Sequence, residues 1–532
     1  MKKTTILTLA AGLSIQVASA QRPNIILIMA DDMGFSDIGC FGSEIPTPNL
    51  DKLAQNGVRF SQFYNTARCC PTRASLLTGL YQHQTGIGMM AEDPFKQEGG
   101  KDPNDAGVSG YRGFLNHQCV TIAEALKPSG YHTYMAGKWH VGMHGEEKWP
   151  LQRGFEHYYG ILAGACSYLK PVGGRGLTFD NTKLPAPEGE FYTTDAFTDH
   201  AIQFIKEQKD EKPFFLYLAF NAPHWPLQAK KADYEKFIGK YMKGWDVLRE
   251  ERYQRQKQMK LFDREIALSP RDSRVRAWKD VEAKQQKESD FRMAVYAAQI
   301  SCLDQNVGKL VETLSSLQKL KNTLIIFLSD NGACAEPYQE FGGGKFEDIN
   351  NPAISGSVSY GIGWANMSNT PFFEYKVKSY EGGISAPFIA YWPDQISKTA
   401  GKVCHHPAGL IDILPTILAA TGAKYPKTNP DGTKLFPLEG ESLIPAFTHL
   451  KGVDHKYMFW EHSGFSAIRK GDWKAYKKVA DTVWELYDLK TDRAEQHNIA
   501  SSNPDLVREL NDKWYEWANT HQVLPKQLQA AQ

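Results

Sequence analysis

Three stretches of this 532-residue chain are apolar without interruption and stop at polar turn residues. Asn24 to Met29, NIILIM, runs into Asp31-Asp32. Phe214 to Phe220, FFLYLAF, runs into Asn-Ala-Pro-His, and Leu324 to Leu328, LIIFL, runs into Ser-Asp-Asn-Gly. Short apolar runs without alternation predict strands buried on both faces, as in parallel sheets. Between them, Pro48 to Gln55, Pro71 to Leu80, Val120 to Lys127 and Phe291 to Ser315 carry helical spacing. Strands alternating with helices predict an α/β fold: a large doubly wound, mostly parallel sheet flanked by helices. Ligands of such sheets sit beyond the carboxyl ends of the strands, which is where these polar clusters fall.

Two regions depart from that rhythm. Residues 226–290 are rich in Lys, Arg, Glu and Gln. They predict a solvated helical excursion with an amphipathic inner face, or a frame for the mouth of the site. From about 450 the texture changes. Tyr457 to Trp460, Phe465 to Arg469, Trp473 to Tyr476 and Val483 to Tyr487 are short aromatic or β-branched runs between turn residues, and Pro504 to His521 has helical spacing. These predict an antiparallel sheet plus a helix, a smaller C-terminal α+β subdomain over 451–532 after a main domain over 21–450.

Residues 1–20 combine a charged start (Lys2, Lys3), an apolar stretch from Ile6 to Val17 and the A-x-A site Ala18-Ser19-Ala20. This is the pattern of a secretory signal peptide cut after Ala20, so the expected location is periplasmic or secreted. Gln21, not Cys, follows the cut, so no lipid anchor is expected. No later run of about 18 apolar residues predicts a membrane span. Loss of Lys2 and Lys3 takes the formal charge from +1 to −1. With 61 basic and 60 acidic residues, binding nucleic acid through bulk charge is not expected, and an anionic ligand needs a local site. The 12% aromatic content suits sugar ligands and a packed core equally well. Eight cysteines carry no zinc spacing, and an exported chain of this size could form one or two disulfides.

The candidate chemistry begins at Cys69-Cys70-Pro71-Thr72-Arg73. Proline suits the first turn of a helix, whose amino end would face Cys69 and favour an anion. Arg73 adds a planar cation able to hold two oxyanion oxygens. Asp31 and Asp32 at one strand end, with Asp330 and Asn331 at another, are hard oxygen donors suited to Ca²⁺ or Mg²⁺. Each pair alone is equally a turn or a helix cap.

In order along the chain, PNIILIMADDMG, TPNLDKLAQNGVRF, CCPTRASLLTG, AGKWHVG, NAPH, LSDNG, YEGGISAP and ELYDL resemble the type I, formylglycine-dependent sulfatases of the alkaline phosphatase superfamily. The resemblance spans essentially the whole mature chain. It implies that Cys69, fixed by Pro71 and Arg73, is the residue oxidised to formylglycine, with Cys70 in a free position. It implies metal ligation by Asp31, Asp32, Cys69, Asp330 and Asn331, with one Ca²⁺, or Mg²⁺, per chain. It further implies that Lys138, His224 and Lys376 bind sulfate, that His140 takes the proton from the second hydroxyl of the hydrated aldehyde, and that His224 protonates the leaving alkoxide. Lys376 lies five residues before Glu381; Lys378 is its rival at three. His405 and His406 are read as structural or surface residues.

The reading that follows is a metal-dependent, exo-acting sulfuric ester hydrolase acting on a sulfated glycan or oligosaccharide. Its partners are that substrate and a formylglycine-generating maturation enzyme. A phosphate mono- or diester hydrolase of the same superfamily is the alternative. A sulfated-glycan-binding protein without catalysis and a thiol oxidoreductase using Cys69-Cys70 are weaker ones, the latter lacking a CxxC pattern. Loops near Cys166 to Arg175 and Trp225 to Lys231 are expected to select the substrate.

Overall fold

A computed structural model describes residues 22–91, 106–478 and 482–523, so the signal-peptide expectation lies outside the described residues. Its main element is an 11-stranded mixed sheet. The central strand, Asn24–Asp31, has every residue buried. It pairs in parallel with Phe214–Pro223 on one side and Thr323–Ser329 on the other, placing Ile26 beside both Leu216 and Ile325. The three apolar runs are therefore the middle of the sheet. His132–Lys138 and His157–Ile161 extend it in parallel beyond Phe214–Pro223. Ser385–Tyr391 runs antiparallel to Thr323–Ser329 and to Val58–Tyr64, so the sheet is mostly, not wholly, parallel.

Alternation along the central strand splits the core into two layers. Ile26, Ile28 and Ala30 face the side covered by Thr193–Glu207 and Ala283–Ser316. Ile25, Leu27 and Met29 face Cys69–Thr78, Ile122–Leu126 and Ile413–Thr421. Each fully buried Ile or Leu is worth roughly 1.5–3 kcal/mol, so both faces hold the strand ends in place. Ile122–Leu126 starts at a capping box in which Thr121 and Glu124 satisfy each other's backbone N–H. Ala283–Ser316 begins earlier than its apolar spacing from Phe291 suggests, because AKQQKES is made of helix formers with no core face to mark it.

The excursion over 226–290 is less solvated than its composition implies. On Gly244–Gln258 the inner face buries Trp245 and Leu248 but also Arg249, Arg252 and Gln256. The fully buried Arg252 guanidinium bonds Asp37 at 2.7 Å and both Glu44 oxygens at 2.8 Å, fastening the helix to the loop that follows the central strand. Charges read as solvated are here paired inside.

Met458–His462, Phe465–Lys470, Trp473–Lys477 and Glu485–Asp488 form a separate four-stranded antiparallel sheet. Pro504–Thr520 packs on it through Leu510, Trp514 and Trp517 against Ile468, Ala475 and Leu486. A buried ionic network joins this sheet to the main one. Glu381 accepts from Lys474 at 3.2 Å, Arg493 at 2.9 Å and the Tyr64 hydroxyl at 2.9 Å, while Lys474 also meets Glu495 at 2.8 Å. All eight cysteines are thiols, so no expected disulfide is formed. Among the described residues no helix is long and apolar enough to cross a membrane.

Candidate active site

The site lies where the central strands end. Asp31 closes its strand, and Asp32 follows with φ 66°. Asp330 and Asn331 follow the neighbouring strand. The two ends interlock: the Asp32 N–H donates to Asp330 Oδ1 at 3.1 Å, and Asn331 Nδ2 donates to Asp32 Oδ1 at 2.7 Å. Cys69 is the first residue of its helix, 1% exposed, with the helix's amino end beneath it. Its sulfur lies within 4.8 Å of ligand atoms of Asp31, Asp32 and His224.

Three buried cations balance three buried acids. Lys138 Nζ bonds Asp31 Oδ2 at 2.8 Å, and Lys376 Nζ lies 2.7 Å from Asp32 Oδ1. Arg73 bonds Asp330 Oδ2 at 2.7 Å and the Lys138 carbonyl at 3.0 Å. The guanidinium expected to grip an oxyanion thus holds two strand ends together. His224 Nδ1 is 2.7 Å from the Trp225 carbonyl, which can only accept, so Nδ1 carries the proton and Nε2 faces Asp32 at 3.4 Å. His140, buried at φ 60°, lies two residues past Lys138, its N–H donated to the Leu162 carbonyl at 3.1 Å. These contacts bring Asp31, Asp32, Cys69, Arg73, Lys138, His224, Asp330, Asn331 and Lys376 into one site, and His140 lies at the same strand end as Lys138.

The neighbours of the reading resolve as well. Lys378 pairs with Glu374 at 2.7 Å, away from the acids, so Lys376 is the lysine at the site. Cys70 sulfur accepts from the Ala91 N–H at 3.2 Å and packs by Met90, turned from the acids. His405 bonds Ser61 at 2.9 Å, outside the site. Sequence reasoning missed Arg68 and Glu336, which pair at 2.7 Å beside Lys376. A small cavity beside Asp32 is lined by His224, Trp225, Leu227, Tyr296, Cys334 and Tyr360, of which Trp225 and Leu227 fall in an expected loop.

Burial pushes the Cys69 thiol up to about 12, against the pull of Lys138 and Lys376. A thiol held protonated is a poor nucleophile, which argues against thiol chemistry here. Burial, then repulsion by Asp31, pushes Asp330 up to about 7 although Arg73 and Lys138 oppose it. Asp31 Oδ1 and Asn331 Oδ1 are buried without a hydrogen-bond partner. Crowded acids and unsatisfied oxygens fit a hard divalent cation.

Acids at strand ends facing a helix start, flanked by lysines and a histidine, make a site for hydrolysing an anionic ester. The chain belongs to the sulfatase family: the Sulfatase family model matches residues 23–423. It is 34% identical over 531 residues to an uncharacterized sulfatase of Schizosaccharomyces pombe, covering 93% of each chain. It is 36% identical over 442 residues to an arylsulfatase of Klebsiella aerogenes, covering 80% of this chain and 92% of that one. A crystal structure of Ps i-CgsB in complex with k-i-k-neocarrahexaose superposes with a TM-score of 0.66 at 29% identity, covering 94% of both chains. The protein is a sulfatase, an enzyme that hydrolyses sulfate esters, with the alkaline phosphatase superfamily fold.

Proposed function

We propose that this sulfatase removes sulfate from the end of a sulfated carbohydrate, using Cys69 oxidised to formylglycine and one Ca²⁺ or Mg²⁺. The observation that carries the reading is Cys69 at a helix start, enclosed by Asp31, Asp32 and His224. Oxidation of Cys69, once hydrated, supplies geminal hydroxyls where a thiol cannot ionise. Asp31, Asp32, Asp330, Asn331 and residue 69 would hold the cation, which supplies charge neutralisation and acidifies a bound hydroxyl. Lys138 and Lys376 hold the sulfate oxygens, and Arg73 fixes the acids. As the imidazolium, with Nδ1–H held by the Trp225 carbonyl, His224 gives its Nε2 proton to the leaving oxygen, while His140 accepts one.

A sugar substrate is supported by the oligosaccharide bound to Ps i-CgsB and by Trp225, whose ring centroid lies 4.3 Å from that of His224. Action at a chain end is supported by depth, with Cys69 1% and Lys138 0% exposed. The leader pattern supports export to the periplasm or beyond. Peptide mass mapping of active enzyme, with sulfate release from monosaccharides sulfated at different hydroxyls and from a phosphate monoester, tests the proposal. The Cys69 peptide is expected as the aldehyde and sulfate as the released anion. Full activity with an unmodified Cys69, or preference for the phosphate ester, overturns it.

A further inference from the structure

Moving outward from Cys69, the site's charges are sealed: Asp31, Arg73, Lys138 and Lys376 are at most 1% exposed. The next charged pair is not. Arg68 Nη1 bonds Glu336 Oε1 at 2.7 Å, with side chains 13% and 25% exposed. Glu336 Oε2 lies 3.7 Å from Lys376 Nζ and 3.6 Å from the sulfur of Cys334, which lines a small cavity with His224 and Trp225. The pair therefore sits between Lys376 and the small cavity beside His224.

The pair is rigidly mounted. Its loops and that of Lys376 are laced together: Lys376 N–H donates to Ala333 O at 3.1 Å, Val377 N–H to Ala67 O at 2.7 Å, and the Tyr338 hydroxyl to the Lys376 carbonyl at 3.2 Å. Ala67, Tyr338 and Val377 take positive φ of 62°, 61° and 84°, conformations that cost energy and persist at functional sites. Arg68 Nε is buried without a hydrogen-bond partner. A partly buried ion pair held in place by strained, cross-bonded loops is preorganised for a ligand.

We propose that Arg68 and Glu336 recognise the leaving group by a free hydroxyl on the carbon next to the sulfate ester, which donates to Glu336 and accepts from Arg68. The inference rests on the carbohydrate reading above and deepens it. The enzyme then selects sulfated sugars with a vicinal hydroxyl. It disfavours those with a second anionic group there, because Glu336 repels that group and already neutralises the Arg68 charge.

The test compares three probes: a sugar sulfate with the vicinal hydroxyl, its deoxy analogue and nitrophenyl sulfate. Wild-type enzyme should prefer the hydroxylated sugar over the deoxy analogue by about 10–100-fold in kcat/KM, the range of a hydrogen bond to a charged group. Glu336→Ala should erase that preference and lower the ratio of sugar to nitrophenyl turnover by a similar factor; Glu336→Gln, which still accepts a hydrogen bond, should recover part of it. Equal losses on all three probes would show that Glu336 acts only through Lys376 and overturn the proposal. If the variant does not fold, equal wild-type rates on parent and deoxy sugar overturn it alone. Wild-type turnover of nitrophenyl sulfate with none of any sugar sulfate would instead sink the carbohydrate reading, and the proposal with it.

Discussion

Cys69 and Cys70 are adjacent in sequence and opposite in circumstance. Cys69 faces the acids, while Cys70 turns to Met90 and the Ala91 N–H. Cys69→Ala should abolish sulfate release, and Cys70→Ser should keep most of it, measured as initial rates on purified protein. His224 yields a sharper distinction. A sugar alkoxide needs a proton as it leaves, and a nitrophenolate needs little. His224→Ala should therefore depress sugar-sulfate hydrolysis by about 10²–10⁴-fold and nitrophenyl-sulfate hydrolysis far less. A merely packed imidazole would lose both equally, with a lower melting temperature. At this scale the sequence is largely readable, because motif spacing ties most of these residues to a strand end or to the helix start. Even the choice of Lys376 over Lys378 follows from register. Arg68 and Glu336 were not readable: 268 positions separate them, and no spacing signals a pair made by two loops meeting.

Among elements, the closing four-stranded sheet matters beyond its own core. Lys474 on Trp473–Lys477 is wedged between Glu381 and Glu495, all three fully buried. Lys474→Met should leave Glu495 without its cation and Glu381 with Arg493 alone, and cost about 3–5 kcal/mol in denaturant unfolding. It should also reduce kcat, since Glu381 opens the turn that follows Lys376. Burial, and then Glu381 across from Lys474, pushes the Glu495 carboxyl up to about 7. A carboxyl raised on folding favours the native state below its unfolded pKa, and that contribution is lost as pH rises through the folded value. Unfolding free energy should thus fall between roughly pH 5 and 8, and Glu495→Gln should flatten that slope. Unbroken apolar runs announced the parallel strands and short aromatic runs announced this sheet. The polar inner face of Gly244–Gln258 was hidden, because a buried Arg and a solvated one look alike until a partner is seen.

Across the whole molecule, the strands sandwiched between two apolar layers end at a cluster of crowded, buried acids. Chelation should inactivate the enzyme, with Ca²⁺ or Mg²⁺ restoring it. Added Ca²⁺ at 100 times its Kd should stabilise the fold by about 2.7 kcal/mol, read as a higher Tm. Asp330→Asn should remove most of that gain, and restoration by zinc alone would refute an oxygen-donor site. The two-sheet architecture was legible from texture alone, whereas the ionic network between the sheets, joining Tyr64 to Arg493, was not.

The depth of residue 69 also sets a clock. At 1% exposure it is closed to any other protein once the strand ends lock around it. The last residues of the ionic network that joins the two sheets, Lys474, Arg493 and Glu495, come near the end of the chain. A ribosome adding about 5–20 residues per second needs roughly 20–80 s to travel from the cysteine to those residues. An enzyme that alters Cys69 must work within that interval or on chain still kept from folding. Protein first allowed to fold with an intact thiol should stay unmodified when the maturation enzyme is supplied afterwards, and should become a substrate again only after unfolding.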